Sequence, residues 1–239
     1  MRGNQLNNPL RYAYKFKFED GREKDFEIRL DAETLELAAQ EDVPKPEWTK
    51  LKYWQCDNCP LSDEVAYCPV AVNLSSLVET FKDSLSHERT DVVVEAAERT
   101  YAKQTTLQKG LSSIIGLYMV TSNCPVMDNL RPIVRFHLPF AAGEETIYRV
   151  ATMYLMKQYF VMRNGGSPDW ELKNLGRLYK AIWTVNIGMA ERLRHASTHD
   201  ANVNAVVILS AFGDTVDQSL ENGLDEIEYV FGSGSPPRS

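Results

Sequence analysis

Apolar and charged residues alternate along the beginning of the chain with the period of a β-strand. Aromatic side chains occupy every second position from 12 to 18, and the apolar residues at positions 26, 28 and 30 alternate with charged neighbours. This pattern predicts a hairpin with one apolar face. A two-residue turn at Asp20 and Gly21 would place Phe16 opposite Asp25 and mix the two faces. The pattern therefore favours an odd loop of about three or five residues.

Two further short strands are predicted before the first cysteine, over residues 34–37 and 50–54. Pro44 and Pro46 form a break between them. The second of these strands would lead the chain directly to Cys56. Together with the hairpin they predict an N-terminal antiparallel β region over residues 1–55.

Beyond residue 69 the apolar positions follow the period of a helix. Helices are predicted over residues 70–85, 106–121, 144–163, 169–195 and 201–231, with a short one from Pro125 to Leu130. Residues 91–105 interrupt them and predict two short strands around Glu98 and Arg99. Gln108 follows Thr105 by three residues, as in a capping box. Short connections between the last three helices favour an antiparallel bundle.

The predicted fold class is α+β, with the β region of residues 1–55 joined to a cysteine-containing, mainly helical region of residues 56–231. With 239 residues and 44% hydrophobic content, the chain can bury both regions in one integrated domain. Residues 232–239 are rich in Gly, Ser and Pro, a composition that predicts a flexible tail.

Charge and hydropathy exclude several classes of protein. The net charge of −7 opposes binding to nucleic acid or to an anionic lipid surface. The first 18 residues carry polar side chains where a secretory signal would be apolar, and about 18 consecutive apolar residues, as a membrane helix needs, occur nowhere. We therefore expect a cytoplasmic protein in which thiols stay reduced.

The sharpest chemical signal is the set of four cysteines, Cys56, Cys59, Cys68 and Cys124, which are all that the chain has. One CxxC pair and three Cys-Pro steps indicate the ligands of a single metal site. The CxxC pair suits a turn at a strand end. The other two cysteines each precede a proline and a predicted helix, so each is a candidate N-cap whose thiol faces the positive end of the helix dipole.

Three interpretations of these thiols remain open. A closed, structural zinc site is the leading one, because four thiols occur with no evident open coordination position or neighbouring base. A [4Fe–4S] cluster is the alternative, since Cys-Pro steps also occur at cluster ligands. A redox switch formed by Cys56 and Cys59 is the third.

A second group of charged residues follows the last cysteine and spans 19 positions: Arg131, Arg135, His137, Glu144 and Arg149. It could bind an anion or donate hydrogen bonds to the thiolates. The favoured interpretation is structural, with Arg131 or Arg135 paired to Glu144 or Glu145 and the acids at a helix start. The histidine is then hydrogen-bonded rather than a metal ligand.

The motifs CxxCPL from Cys56, YCPVAVNL from Tyr67, TSNCP from Thr121 and RFHLPF from Arg135 resemble those of an uncharacterised bacterial family, a domain of unknown function. The resemblance runs from the hairpin to about residue 231. It implies a bacterial, cytosolic protein and supports treating the four cysteines as one set. It implies no activity.

The sequence therefore indicates no substrate or reaction. The expected function is that of a zinc-containing binding or regulatory module, with a protein partner or a second copy of itself as its target. In the iron–sulfur alternative, the cluster has a redox role and Arg131, Arg135 and His137 tune it or bind an anionic substrate.

Overall fold

A computed structural model describes residues 9–38, 43 and 45–234. Its four strands form one antiparallel sheet in the order β2-β1-β3-β4. The strands are β1 (Leu10–Phe18), β2 (Glu23–Leu30), β3 (Arg89–Ala96) and β4 (Thr100–Thr106). The predicted α+β class and the strands predicted within residues 91–105 are confirmed.

The register of the N-terminal hairpin agrees with the apolar pattern. Tyr14 lies opposite Phe26, so apolar residues pair on one face. The N–H of Phe18 donates to the carbonyl of Arg22 at 2.9 Å, which closes a loop of odd length. Gly21 ends this loop with a φ of +86°, a conformation that glycine adopts without a steric penalty. The prediction of an odd loop is confirmed.

The strands predicted over residues 34–37 and 50–54 are wrong. The Asp31 carboxylate accepts hydrogen bonds from the N–H groups of Glu33 and Thr34, at 2.9 and 2.8 Å, and this Asx turn leaves only an isolated bridge at Leu37. Two 3-10 helices, Glu47–Thr49 and Leu51–Tyr53, replace the other strand. The predicted break at Pro44 lies outside the described residues. Half of the sheet comes from residues beyond 88, so the sheet is not confined to residues 1–55.

The helices match the predicted ones with shifted ends. They are α1 (Pro69–Phe81), α2 (Leu107–Val120), a 3-10 helix (Met127–Phe136), α3 (Gly143–Arg163), α4 (Lys173–Ala196), α5 (Ala201–Glu221), α6 (Asp225–Glu228) and a 3-10 helix (Tyr229–Gly234). None of the helices in the described ranges is long and apolar enough to cross a membrane.

Three expectations about helix ends need correction. The single helix over residues 201–231 is interrupted, because Gly223 and Leu224 adopt φ values of +70° and +65°. The N-cap of α2 is Thr106, and the N–H of Gln108 donates to the Ser86 carbonyl at 3.1 Å instead of joining a capping box. Residues 232–234 of the predicted tail belong to the last 3-10 helix, and 235–239 lie outside the described part of the chain.

The core begins on one face of the sheet and continues through the helices. Tyr14 and Phe16 of β1 are fully buried. The ring of Phe16 meets Phe81 of α1 edge to face, with centroids 5.4 Å apart. The same cluster of buried residues extends to Val206 of α5 and includes Cys68 and Cys124. The sheet, the helices and the cysteines thus share one core.

A close contact between α2 and the sheet gives the first testable prediction. A Cβ at Gly110 would lie 2.9 Å from Cγ2 of Val92 and 3.0 Å from Cε1 of Phe16. Gly110→Ala should therefore lower the free energy of unfolding by about 1–2 kcal/mol, because overpacking outweighs the higher helix propensity of alanine. Denaturation in urea measures the change.

The matched control is Gly213→Ala in α5, where a Cβ would meet none of the described atoms within 4 Å. This variant should gain about 0.5–1 kcal/mol of stability from helix propensity. Equal changes in the free energy of unfolding of both variants, in the same direction, would contradict the close contact at Gly110.

Candidate functional site

The Cys56-Cys59 pair forms a tight turn that is anchored to α4. The N–H of Cys59 donates to the Cys56 carbonyl at 3.0 Å. The amide of Asn58 donates to the Ala181 carbonyl at 2.8 Å. The turn was predicted, but a 3-10 helix rather than a strand precedes it. The turn with these two cysteines thus follows a 3-10 segment and contacts α4, instead of leading out of the sheet.

Cys68 is the N-cap of α1, as predicted. Burial raises the pKa of its thiol, and the backbone N–H groups of Ala71 and Val70 oppose this effect. None of the described residues completes a capping hydrogen bond of ordinary geometry with the thiol. The helix terminus therefore acts on the sulfur mainly through its electrostatic field.

Cys124 is not the N-cap that the sequence predicted, because the N-cap of the 3-10 helix that follows it is Val126. Burial again raises the pKa of its thiol, and the N–H groups of Met127 and Val126 again lower it. The N–H of Asp128 donates to the Cys124 carbonyl at 2.9 Å. The 3-10 helix itself starts two residues after Pro125 and runs past the predicted end at Leu130 to Phe136.

The four thiols lie in one electrostatic neighbourhood. Burial raises the pKa of Cys56 to about 12, and the charges of Cys68, Cys59 and Cys124 raise it further. Within the described ranges, however, no three His, Cys, Asp or Glu side chains are arranged closely enough to hold a metal ion as they stand. A shared ion would require the cysteine side chains to rotate toward one another.

Gly188 of α4 makes room for one of these thiols. A Cβ at this position would lie 2.7 Å from the Sγ atom of Cys56. Because no side chain intervenes, the thiol packs directly against the helix backbone. Gly188 thus has a steric role that the sequence did not indicate.

Arg192 of α4 is the main residue of this region that the sequence analysis missed. Its side chain is only 1% exposed. The guanidinium donates to the carbonyl oxygens of Trp48, Lys50, Leu51 and Trp54. The donor–acceptor distance is 2.6 Å to Lys50, 3.1 Å to Leu51 and 2.5 Å to Trp54. These bonds hold residues 48–54 in their 3-10 conformation, immediately before Cys56.

The Arg192 charge is also coupled to the thiols. Burial lowers the pKa of Arg192, whereas Cys68, Cys56 and Cys59 raise it. The guanidinium in turn lowers the pKa of Cys56 and Cys68. It forms no ion pair with any carboxylate in the described part of the chain. The usable sequence signal was its position in the buried stripe of α4, three residues after Met189.

The second predicted group separates into surface contacts and a buried part. Arg131 donates to Asn123 at 2.6 Å and to Asp128 at 2.5 Å. Glu144 accepts a hydrogen bond from Tyr229 at 3.0 Å. Arg135 is exposed. The favoured pairing of Arg131 or Arg135 with Glu144 or Glu145 is therefore not formed in the described structure.

Glu145, the acid next to Glu144, caps the start of its own helix. The Glu145 carboxylate accepts a hydrogen bond from the N–H of Ala142 at 2.7 Å at the start of α3. The expected role of the acids at a helix start is confirmed for this residue.

His137 belongs to a partly buried polar cluster. Its Nε2 atom lies 2.6 Å from the Tyr14 hydroxyl and 3.4 Å from the Ser113 hydroxyl, and the two hydroxyls are 2.8 Å apart. Burial and the charge of Arg149 lower the pKa of His137 to about 3. The ring is therefore neutral near pH 7, and it is hydrogen-bonded, as the sequence analysis favoured.

Arg149 lies beside this cluster and is held by backbone alone. Its Nη2 atom donates to the Phe136 carbonyl at 2.7 Å and to the Ile133 carbonyl at 3.4 Å. Burial lowers its pKa, and Tyr179 and then Glu145 oppose this effect more weakly. Like Arg192, it forms no ion pair within the described ranges.

His137 and Arg149 both line a cavity of about 400 Å³ between β4, α2, the 3-10 helix Met127–Phe136 and the helices α3 to α5. Its wall is mainly apolar, with Leu138 and Phe212 among the lining side chains. Arg131, Arg135 and Glu144 do not contribute to it. This cavity could not be predicted from the sequence, because its wall comes from residues distributed from position 103 to position 213.

The described structure defines a protein of the α+β class. The family model described as "Domain of unknown function (DUF6901)" matches residues 12–232, and the chain belongs to that family. The expected membership in a family of unknown function is confirmed, whereas the bacterial origin stays a prediction. No curated protein and no solved structure matches the chain.

Proposed function

We propose that Cys56, Cys59, Cys68 and Cys124 bind one zinc ion, and that this ion stabilises a cytoplasmic binding module. The observation that carries the proposal is the buried Arg192 guanidinium, which is electrostatically coupled to three of these thiols. A buried cation needs a compensating negative charge, and the described chain supplies no carboxylate for it. Thiolates bound to a metal would supply that charge.

The helix termini support the same charge state. A tetrathiolate zinc site carries a net charge of about −2. The amides that face Cys68 and Cys124 favour the thiolate form. Together with Arg192 they offset part of that charge, so the surroundings suit a bound anionic centre.

The raised pKa of Cys56 argues against the redox-switch interpretation. A reactive thiol needs a lowered pKa, whereas burial and the neighbouring thiols raise this one to about 12. Without metal, Cys56 is therefore protonated near pH 7. Zinc binding would displace its proton.

A protein partner, or a second copy of the chain, fits the exposed apolar side chains of α3. Met156, Tyr159 and Phe160 are 58%, 46% and 46% exposed. Such a surface suits a protein–protein contact. We propose this helix as the partner-binding surface of the module.

Metal analysis of protein purified without oxygen tests the zinc proposal. We expect a colourless protein with about one zinc per chain. Iron and sulfide in the sample, with broad visible absorption, would establish the cluster alternative instead. A protein that contains neither metal and has reversibly oxidised Cys56 and Cys59 would refute the zinc site.

A further inference from the structure

The cavity has an uneven distribution of charge that is independent of the cysteines. Arg149, Lys103 and Lys109 line it, but no Asp or Glu side chain does. In the part of the chain that the structure describes, none of these three cations forms an ion pair. A chain with a net charge of −7 thus places around one apolar cavity three cations that have no ion-pair partner among the described residues.

The guanidinium of Arg149 retains capacity for a ligand. The hydrogen bonds of the described residues engage only its Nη2 atom, and both acceptors are backbone carbonyls. The Nε and Nη1 donors remain for another acceptor, and a carboxylate oxygen accepts a strong, charge-assisted hydrogen bond from a guanidinium. Partial burial strengthens such a pair relative to one at the surface.

The rest of the cavity suits the hydrocarbon part of a ligand. A volume of about 400 Å³ lies within the usual range of small-molecule pockets. Apolar side chains from several helices line it, including Leu130, Ile182 and Leu209. The neutral His137 and the Ser113 hydroxyl add a few polar contacts to this mainly apolar wall.

We propose that this cavity binds an amphipathic carboxylate, with its apolar chain among the helices and its carboxylate on Arg149. Lys103 of β4 and Lys109 of α2 attract the anion to the cavity, because both are exposed cations that line it. The proposal does not depend on zinc. It assigns a ligand class to a part of the molecule that the cysteines do not reach.

Calorimetric titration of the full chain with decanoate tests the proposal, with decan-1-ol as the uncharged analogue. We expect saturable binding of decanoate at least tenfold tighter than that of decan-1-ol. Arg149→Gln should weaken decanoate about tenfold to a hundredfold, the usual loss for a charge-assisted hydrogen-bonded pair, and leave decan-1-ol unchanged. Arg135→Gln is the matched control, since this nearby arginine does not line the cavity.

A second variant separates ligand binding from folding. Gly213 lines the cavity, and a Cβ there meets none of the described atoms within 4 Å. Gly213→Leu should fill the space, keep the protein folded and abolish binding of both compounds. Equal affinity for decanoate and decan-1-ol, or unchanged binding by folded Gly213→Leu protein, would overturn the proposal.

Discussion

Replacing Arg192 by methionine is expected to lower the free energy of unfolding by about 3–5 kcal/mol. The guanidinium donates to four backbone carbonyls between Trp48 and Trp54. Methionine fills a similar volume but leaves these buried acceptors without donors. Urea denaturation of the metal-free protein measures this loss separately from any effect of zinc.

Arg194→Met is the matched control for this prediction. Arg194 lies two residues further along α4, is exposed, and pairs with Glu191. Its replacement should change stability by less than about 0.5 kcal/mol, as is usual for a surface ion pair. Similar losses in the two variants would show that the carbonyl contacts of Arg192 contribute little.

The losses of stability caused by single replacements of the cysteines by serine are expected to be strongly non-additive. If the four thiols hold one ion, then Cys56→Ser alone and Cys124→Ser alone each release it. Zinc at about 1,000 times its dissociation constant contributes about 4 kcal/mol, which corresponds to about 10 °C in the midpoint of thermal unfolding. The double variant should lose little more than either single variant. Zinc content and thermal unfolding of the three proteins measure this.

Removal of zinc from the unmodified chain by a chelator provides the internal standard. It should lower the unfolding midpoint by about as much as either single substitution. If instead the two substitutions have independent, additive costs, and the chelator has none, the thiols act only as small buried side chains. The zinc proposal would then be wrong, whereas the Arg192 prediction would stand.

The parts of the fold that the sequence predicted are those in which local pattern and tertiary packing agree. In the hairpin, alternation fixed which residues share a face, and only an odd loop places Tyr14 opposite Phe26. The long helices were predicted equally well from the sequence. Their apolar residues repeat with the helical period over more than five turns, and clear stop signals such as Gly165 follow.

The failures occurred where long-range contacts override a short local pattern. Residues 50–54 look like a strand, but Arg192, more than 130 residues away, binds their carbonyls in another conformation. A short segment has too little intrinsic preference to oppose such contacts. The interruption near Gly223 was missed because the apolar period continues through it.

The candidate site was predicted only in part for a related reason. Cysteine is rare and chemically distinctive, so the spacing of the four thiols was visible in the chain. The cation that accompanies them was not, because Arg192 is one of many charged residues and only its burial distinguishes it. The cavity could not be predicted from the sequence either, because apolar residues that line a cavity have the same sequence pattern as those that fill a core.

The order of strands in the sheet affects how the chain can be made in a cell. β1 and β2 are synthesised before β3, but the other edge of β1 pairs with β3, which follows the whole of α1. Until β3 emerges from the ribosome, the nascent hairpin presents a free edge and an uncovered aromatic face. Such edges pair readily with those of other unfinished chains. The hairpin of this protein is thus open to such pairing for as long as β3 has not been synthesised.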